Sequence, residues 1–185
     1  YPRDDASFDP NDIKFSCVKY ANTMGESLSS SARIDPRSGE ILSATICIPH
    51  NVTSRIRTDL FVQLGAADPD ARRVKMSPEL FGKALAADVA RHTGACLGLA
   101  VNYAGSYCVP VDSLRSPSFT QRYGISASIM DELPYNLVVQ PGDKERGVAL
   151  MQQGPGVYDE YVVDWLYRPV PGAATPEDEV AELDR

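Results

Sequence analysis

Apolar positions in the first fifty residues follow the patterns of β-strands. Residues 12–20 alternate in a way that is typical of a half-buried strand, with Ile13, Phe15 and Cys17 on one side and Lys14, Ser16 and Val18 on the other. Residues 40–50 form a second β-forming run that ends at Pro49. Between them, residues 21–33 are small and polar and indicate a loop or ragged edge, and residues 34–41 predict a turn.

Helical spacing of apolar residues begins after residue 50. It predicts helices over residues 54–65, 77–97 and 156–167. The second is the strongest, since Ser77 can cap it, Pro78 suits its first turn, and Gly98 is a good stop. The predicted apolar faces are Ile56, Leu60, Phe61 and Leu64 in the first helix, Leu80, Phe81, Ala84, Leu85 and Val89 in the second, and Val157, Tyr161, Val162, Trp165 and Leu166 in the third.

The order of these elements predicts an α+β fold. A small twisted mixed sheet would pack on the long helix, and an irregular C-terminal part from residue 100 would end in the final helix. We expect a lead-in at residues 1–10, one domain at 11–172, and a charged tail or linker at 173–185. Because both ends have the composition of linkers, we expect the domain to be part of a longer protein.

Composition narrows the possible partners and sites. The chain has 185 residues, 43% of them hydrophobic, which suits one domain with a real core. Its net charge of −7 argues against binding to nucleic acid or to anionic membranes, and no apolar run is long enough to span a bilayer. The four cysteines form no Cys-x-x-Cys pair, which excludes a zinc ribbon, and we expect free thiols at Cys17 and Cys47.

One stretch of the second helix has the spacing of a zinc-peptidase motif. The extended motif His-Glu-x-x-His-x-x-Gly-x-x-His places three histidines on one metal and a glutamate beside its bound water. With the motif's glycine at Gly98, the ligand positions fall on Arg91, Ala95 and Val101, and the general-base position falls on His92.

Several further segments share a resemblance with one family. "CLGLAVNYAGS" keeps a Leu-Gly-Leu-x-x-Asn frame that ends at Asn102, and "SIMD", residues 128–131, is followed by "QPGD" and "GVYDEYVVDWLYRPVPGA". Upstream, "DPRSGEI" and "FVQLGAADPDAR" fit the same pattern. From about residue 10 to 175 the chain resembles the catalytic domain of bacterial metzincin-like zinc metallopeptidases.

The resemblance implies a zincin fold with a Met-turn, in which Met130 and Asp131 are structural together with Gly98 and Asn102. It implies a peptide bound along the edge strand of the sheet, and a secreted, periplasmic or cell-envelope location. It also implies zinc, but the ligand positions depart from the family pattern. Guanidinium does not deprotonate to become a ligand, and alanine and valine have no donor atoms.

With two histidines in the chain, a three-histidine site cannot form within it. Glu132 stands where this family commonly has tyrosine. We therefore expect no zinc cofactor and no catalytic residue. The predicted function is a catalytically inactive, metallopeptidase-like domain that binds peptide or protein in the retained cleft.

Alternatives remain open from the sequence, and one is a purely architectural domain that supports its flanking regions. A hydrolase could be rebuilt around His92 with Asp88, Cys96 or Glu132. Asp88, His92 and Cys96 are spaced four apart on one helical stripe, so they could instead form a relocated metal site. Arg91 either replaces the metal as a cation paired with Asp131 or Glu132, or extends into solvent.

Overall fold

A mixed three-stranded sheet forms the N-terminal part of the fold. The computed structural model describes residues 7–184. Strands β1 (Cys17–Ala21), β2 (Ser29–Ile34) and β3 (Ile41–Pro49) lie in the order β1-β3-β2. β1 runs parallel to β3 and β2 runs antiparallel to it, so β2 is an edge strand.

Six α-helices follow the sheet within the described residues, and they confirm the α+β class. They are α1 (Val52–Leu64), α2 (Pro78–Cys96), α3 (Ala104–Tyr107), α4 (Pro117–Tyr123), α5 (Val157–Tyr167) and α6 (Pro176–Leu183). Two short 3-10 turns lie at Pro69–Arg72 and Val111–Arg115.

Local chemistry fixes both ends of α2. At the start, the side chain of Ser77 accepts a hydrogen bond from the Leu80 amide at 3.1 Å. At the end, Gly98 adopts φ +87°, and the Leu99 amide donates to the Gly94 carbonyl while the Gly98 amide donates to the Ala95 carbonyl. This pattern is a Schellman motif, which requires a left-handed residue after the helix. The predicted helix at 77–97 is confirmed.

The core lies between one face of the sheet and helices α1 and α2. Ile46 of β3 is buried in the same cluster as apolar residues of both helices, and Ala44 and Ile48 pack against it from the same strand face. Later segments complete the cluster. Its helical and late members include Ile56, Leu60, Leu64, Leu80, Ala84, Tyr135, Leu150 and Met151.

Two parts of the N-terminal prediction need correction. Residues 21–33, predicted as a loop or ragged edge, contain most of the edge strand β2, because pairing with β3 holds Ser29–Ile34 extended although most of these residues are small and polar. The first strand begins at Cys17 and not at residue 12. Hydrogen bonds from the Asp12 amide to the Asp9 carbonyl and from the Lys14 amide to the Asp12 carboxylate instead form turns there.

Two predicted apolar faces also differ from the structure. Phe61 is 57% exposed, whereas the three other predicted apolar residues of α1 are buried. On α5 the buried residue is Asp159, and most of the predicted apolar face is exposed: Val157, Tyr161, Trp165 and Leu166. The reason is that Asp159 hydrogen-bonds to a neighbouring loop and turns its own side of the helix inward.

The predicted lead-in and tail can be compared with the structure only in part. Residues 1–6 of the predicted lead-in and Arg185 lie outside the described residues, and the predicted tail at 173–185 contains α6. The domain boundaries at 11 and 172 stay predictions. Between residues 7 and 184, no helix has the length and apolar character needed to cross a membrane.

Candidate functional site

Met130 lies directly against the last turns of α2. It is buried, and its Sδ atom lies only 2.6 Å from the place where a Cβ on Gly94 would be. Real Cβ atoms essentially never approach that closely, so a larger residue at position 94 would force the Met130 side chain to shift. The Met130 carbonyl also accepts a hydrogen bond from the Asn102 amide at 3.0 Å. The loop that contains Met130 is thus fixed to α2 and to the segment that follows it.

Asp131 organises the same loop from within. It is buried, and its carboxylate accepts hydrogen bonds from the Ser106 amide, from Ser126 Oγ at 3.0 Å and from the Leu133 amide at 3.1 Å. Asn102 contributes to the neighbouring turn, since its side chain accepts from the Ala104 amide at 3.1 Å. The carboxylate of Asp131 is therefore committed to the protein's own donors.

Asp159 of α5 holds the loop from the other side. This buried carboxylate accepts hydrogen bonds from Ser128 Oγ and the Ile129 amide, both at 2.6 Å, and from the Gly156 amide at 2.8 Å. Three donors on one buried carboxylate make a strong anchor, because each would otherwise be an unsatisfied buried group.

The three positions that the motif assigns to metal ligands lie at the C-terminal half of α2 and just beyond it. Arg91 is partly exposed, and its Nη1 atom is 3.1 Å from Oε1 of Glu132, so the pairing considered from the sequence is present. Ala95 is exposed, and Val101 is 49% exposed. Beside Arg91, Leu133 and Pro134 help enclose a crevice of about 20 Å³, room for about one water molecule.

His92 connects α2 to the edge strand. Its Nδ1 atom is 2.8 Å from Ser30 Oγ, a hydrogen bond across 62 residues of sequence. Burial lowers the pKa of His92, the charge of Arg91 adds to that effect, and the charge of Asp88 opposes it. Because the shift is downward from an ordinary pKa of 6.5, the imidazole is neutral at pH 7.

Asp88, His92 and Cys96, considered above as a relocated metal site, are not placed together as metal ligands. Asp88 forms an ion pair with Arg55, and Cys96 is buried in the hydrophobic core. Within residues 7–184, no group of three or more His, Cys, Asp and Glu side chains is placed to share a metal ion. All four cysteines are free, as expected for Cys17 and Cys47.

Comparison with known families agrees with this geometry. The sequence model of the Met-zincin family matches residues 73–185, which is more than half of the chain and includes α2 and the loop around Met130. The chain belongs to the Met-zincin family. No curated protein and no solved structure matches it.

The residues present do not fit the zinc ion that a Met-zincin implies. Zinc sites in proteins use imidazole, thiolate or carboxylate donors. The three positions hold a permanently charged guanidinium and two side chains without donor atoms, Ala95 and Val101. Two acidic residues considered as helpers here already form ion pairs, Glu132 with Arg91 and Asp88 with Arg55.

Sequence reasoning missed three residues of this site: Ser30, Gly94 and Asp159. Ser30 lies in a serine-rich stretch with no motif, and only the pairing of β2 with β3 brings it to His92. Gly94 lies four residues before the motif's glycine and has an ordinary helical conformation. Asp159 had one available signal, since an acidic residue in the first turn of a predicted helix can accept backbone donors there.

Proposed function

We propose that this domain is a zinc-free, catalytically inactive Met-zincin that binds an extended peptide or protein segment along β2. The single observation that carries the proposal is that Arg91, Ala95 and Val101 stand at the positions the motif assigns to zinc ligands, in a chain that matches the Met-zincin family. Zinc-dependent hydrolysis needs a metal-bound water and a base beside it. Neither the ligand donors nor a carboxylate at position 92 is present to supply them.

Two features of the scaffold support peptide binding without peptide cleavage. Met130 packed beneath α2 supports the assignment of residues 128–131 as the Met-turn. β2 lies at the edge of the sheet, and among residues 7–184 no strand pairs with its outer side. A free edge offers main-chain donors and acceptors to an added strand, and this mode of recognition requires no metal. Location in the cell envelope or outside the cell stays a prediction.

A hydrolase rebuilt around His92 is the second candidate, and the contacts do not favour it. Two of the predicted helpers pair with arginines and not with His92, Asp88 with Arg55 and Glu132 with Arg91. The third, Cys96, is 6% exposed and belongs to the core. His92 therefore has no acidic or thiol partner among the residues proposed for that role.

The test combines cleavage and binding on the same protein. A library of fluorescent hexapeptides is incubated with the purified domain, with and without added zinc, and the products are read by mass spectrometry. The same library is then screened by fluorescence polarisation. We expect binding of a subset of peptides and no cleavage.

Two controls make the result specific. The best-binding peptide is remade with N-methylated amides, which removes its main-chain donors, and we expect its binding to β2 to be lost. Cleavage that a chelator or the substitution His92→Ala abolishes would contradict the proposed inactivity. Unchanged binding of the N-methylated peptide would contradict recognition along the edge strand.

A further inference from the structure

The guanidinium of Arg91 has more binding capacity than its observed contact uses. It meets Glu132 through one nitrogen, Nη1, at 3.1 Å, and the side chain is 34% exposed. A guanidinium has five N–H donors arranged in a planar fork, so a single contact leaves donors for another acceptor. Ala95 at the end of α2 and Val101 beyond that end carry only short apolar groups and are exposed.

We propose that Arg91, at the first ligand position of the zinc-peptidase motif, binds a carboxylate group of the peptide ligand. A carboxylate matches the guanidinium fork in shape and charge and can form two parallel hydrogen bonds with it. This inference rests on the proposed function, because it names the chemistry of the peptide that β2 receives.

The position of Arg91 relative to the edge strand supports a peptide as the source of the carboxylate. Arg91 adjoins His92, whose hydrogen bond to Ser30 holds β2 beside this part of α2. To contact Arg91, the peptide that adds to β2 must extend along α2 as far as the arginine. Two kinds of peptide carboxylate could reach it, the C-terminal carboxylate or the side chain of Asp or Glu.

Glu132 acts as a built-in competitor for the same guanidinium. Its side chain is 46% exposed, and exposed ion pairs contribute little to stability, because water and salt screen them. A ligand carboxylate can therefore replace it. Removing the charge of Glu132 should tighten the binding of a carboxylate ligand by about two- to fivefold, the range that corresponds to an exposed ion pair.

The test uses three synthetic peptides that differ only in their carboxylate. They are acetyl-Ala-Ala-Val-Ala as the free acid, the same peptide as its C-terminal amide, and the amide with glutamate in the last position. Each is titrated into ¹⁵N-labelled protein, and NMR shifts are followed at the backbone amides of β2 and at the Arg91 Nε signal. We expect the free acid or the glutamate peptide to bind at least about fivefold more tightly than the neutral amide.

Three variants identify the group responsible. Arg91→Gln should abolish the preference for carboxylate, Glu132→Gln should tighten carboxylate binding without changing the amide, and Arg37→Gln is the matched control. Arg37 is an exposed arginine that pairs with Asp35 in a turn, so its removal should change nothing. Circular dichroism confirms that each variant is folded.

The outcomes separate this inference from the proposed function. Equal binding of acid and amide, with shifts along β2, would overturn the carboxylate inference and leave peptide binding intact. Shifts at Arg91 with no response along β2 would support carboxylate binding and contradict the edge-strand proposal. A preference that survives Arg91→Gln, or no shift with any peptide, would overturn the inference.

Discussion

Replacing Gly94 by alanine isolates the contact between α2 and Met130. Alanine in a helix interior is favoured over glycine by about 1 kcal/mol. At position 94 that gain is opposed, because the new Cβ would lie 2.6 Å from Met130 Sδ, well inside ordinary contact, and Met130 is buried. Overpacking of this kind costs about 1–3 kcal/mol. We expect Gly94→Ala to be neutral to destabilising by about 2 kcal/mol.

Gly82 in the same helix provides the matched control, since a Cβ there would meet nothing within 4 Å. Gly82→Ala should therefore stabilise the domain by up to about 1 kcal/mol, which raises Tm by about 2–4 °C for a chain of this size. Urea unfolding followed by circular dichroism measures both variants, and the difference between them isolates the contact. If Gly94→Ala stabilises the domain as much as Gly82→Ala does, Met130 does not lie against α2 as described.

Three further predictions test the site and its supports. Asp159→Ala leaves three buried donors without an acceptor and should destabilise the domain by roughly 3 kcal/mol or more in urea unfolding. Asp164 is exposed on the same helix, and Asp164→Ala should change stability by less than about 0.5 kcal/mol in the same assay. The pKa of Asp143 is held well below its ordinary value by Arg115, so its contribution to stability is present above pH ~4 and is lost as the pH falls further. Asp143→Asn should therefore lower the urea midpoint at pH 7 and reduce its change between pH 7 and pH 3, and an unchanged pH dependence would contradict this. Replacing Arg91, Ala95 and Val101 together by histidine should create a site that binds about one zinc ion in a calorimetric titration. A single such replacement should not.

Local signals were sufficient for part of the fold. α2 was predictable because Ser77 and Gly98 determine its two ends, and β3 because its apolar run ends at Pro49. β2 was not, since its serines favour no strand by themselves and the extended conformation comes from pairing with β3. The sequence also did not predict which side of α5 is buried, because Asp159 is polar and its burial depends on donors from a loop distant in sequence.

Part of the candidate site could likewise be predicted from the sequence alone, and part depends on the fold. The motif has fixed spacing, so the sequence alone predicts which positions would hold ligands, and the residues at those positions supply no donor. The partner of Arg91 could not be fixed from the sequence. The fold decides it, because the Asp131 carboxylate is occupied by Ser106 and Ser126 and leaves Glu132 for the arginine.

The zinc content of the purified domain tests the central proposal most directly. The domain is incubated with excess zinc and then dialysed, and zinc per chain is measured by inductively coupled plasma mass spectrometry. We predict far less than one zinc per chain, because the positions held by Arg91, Ala95 and Val101 supply no ligand. One tightly held zinc per chain, with peptide cleavage that a chelator abolishes, would contradict the account.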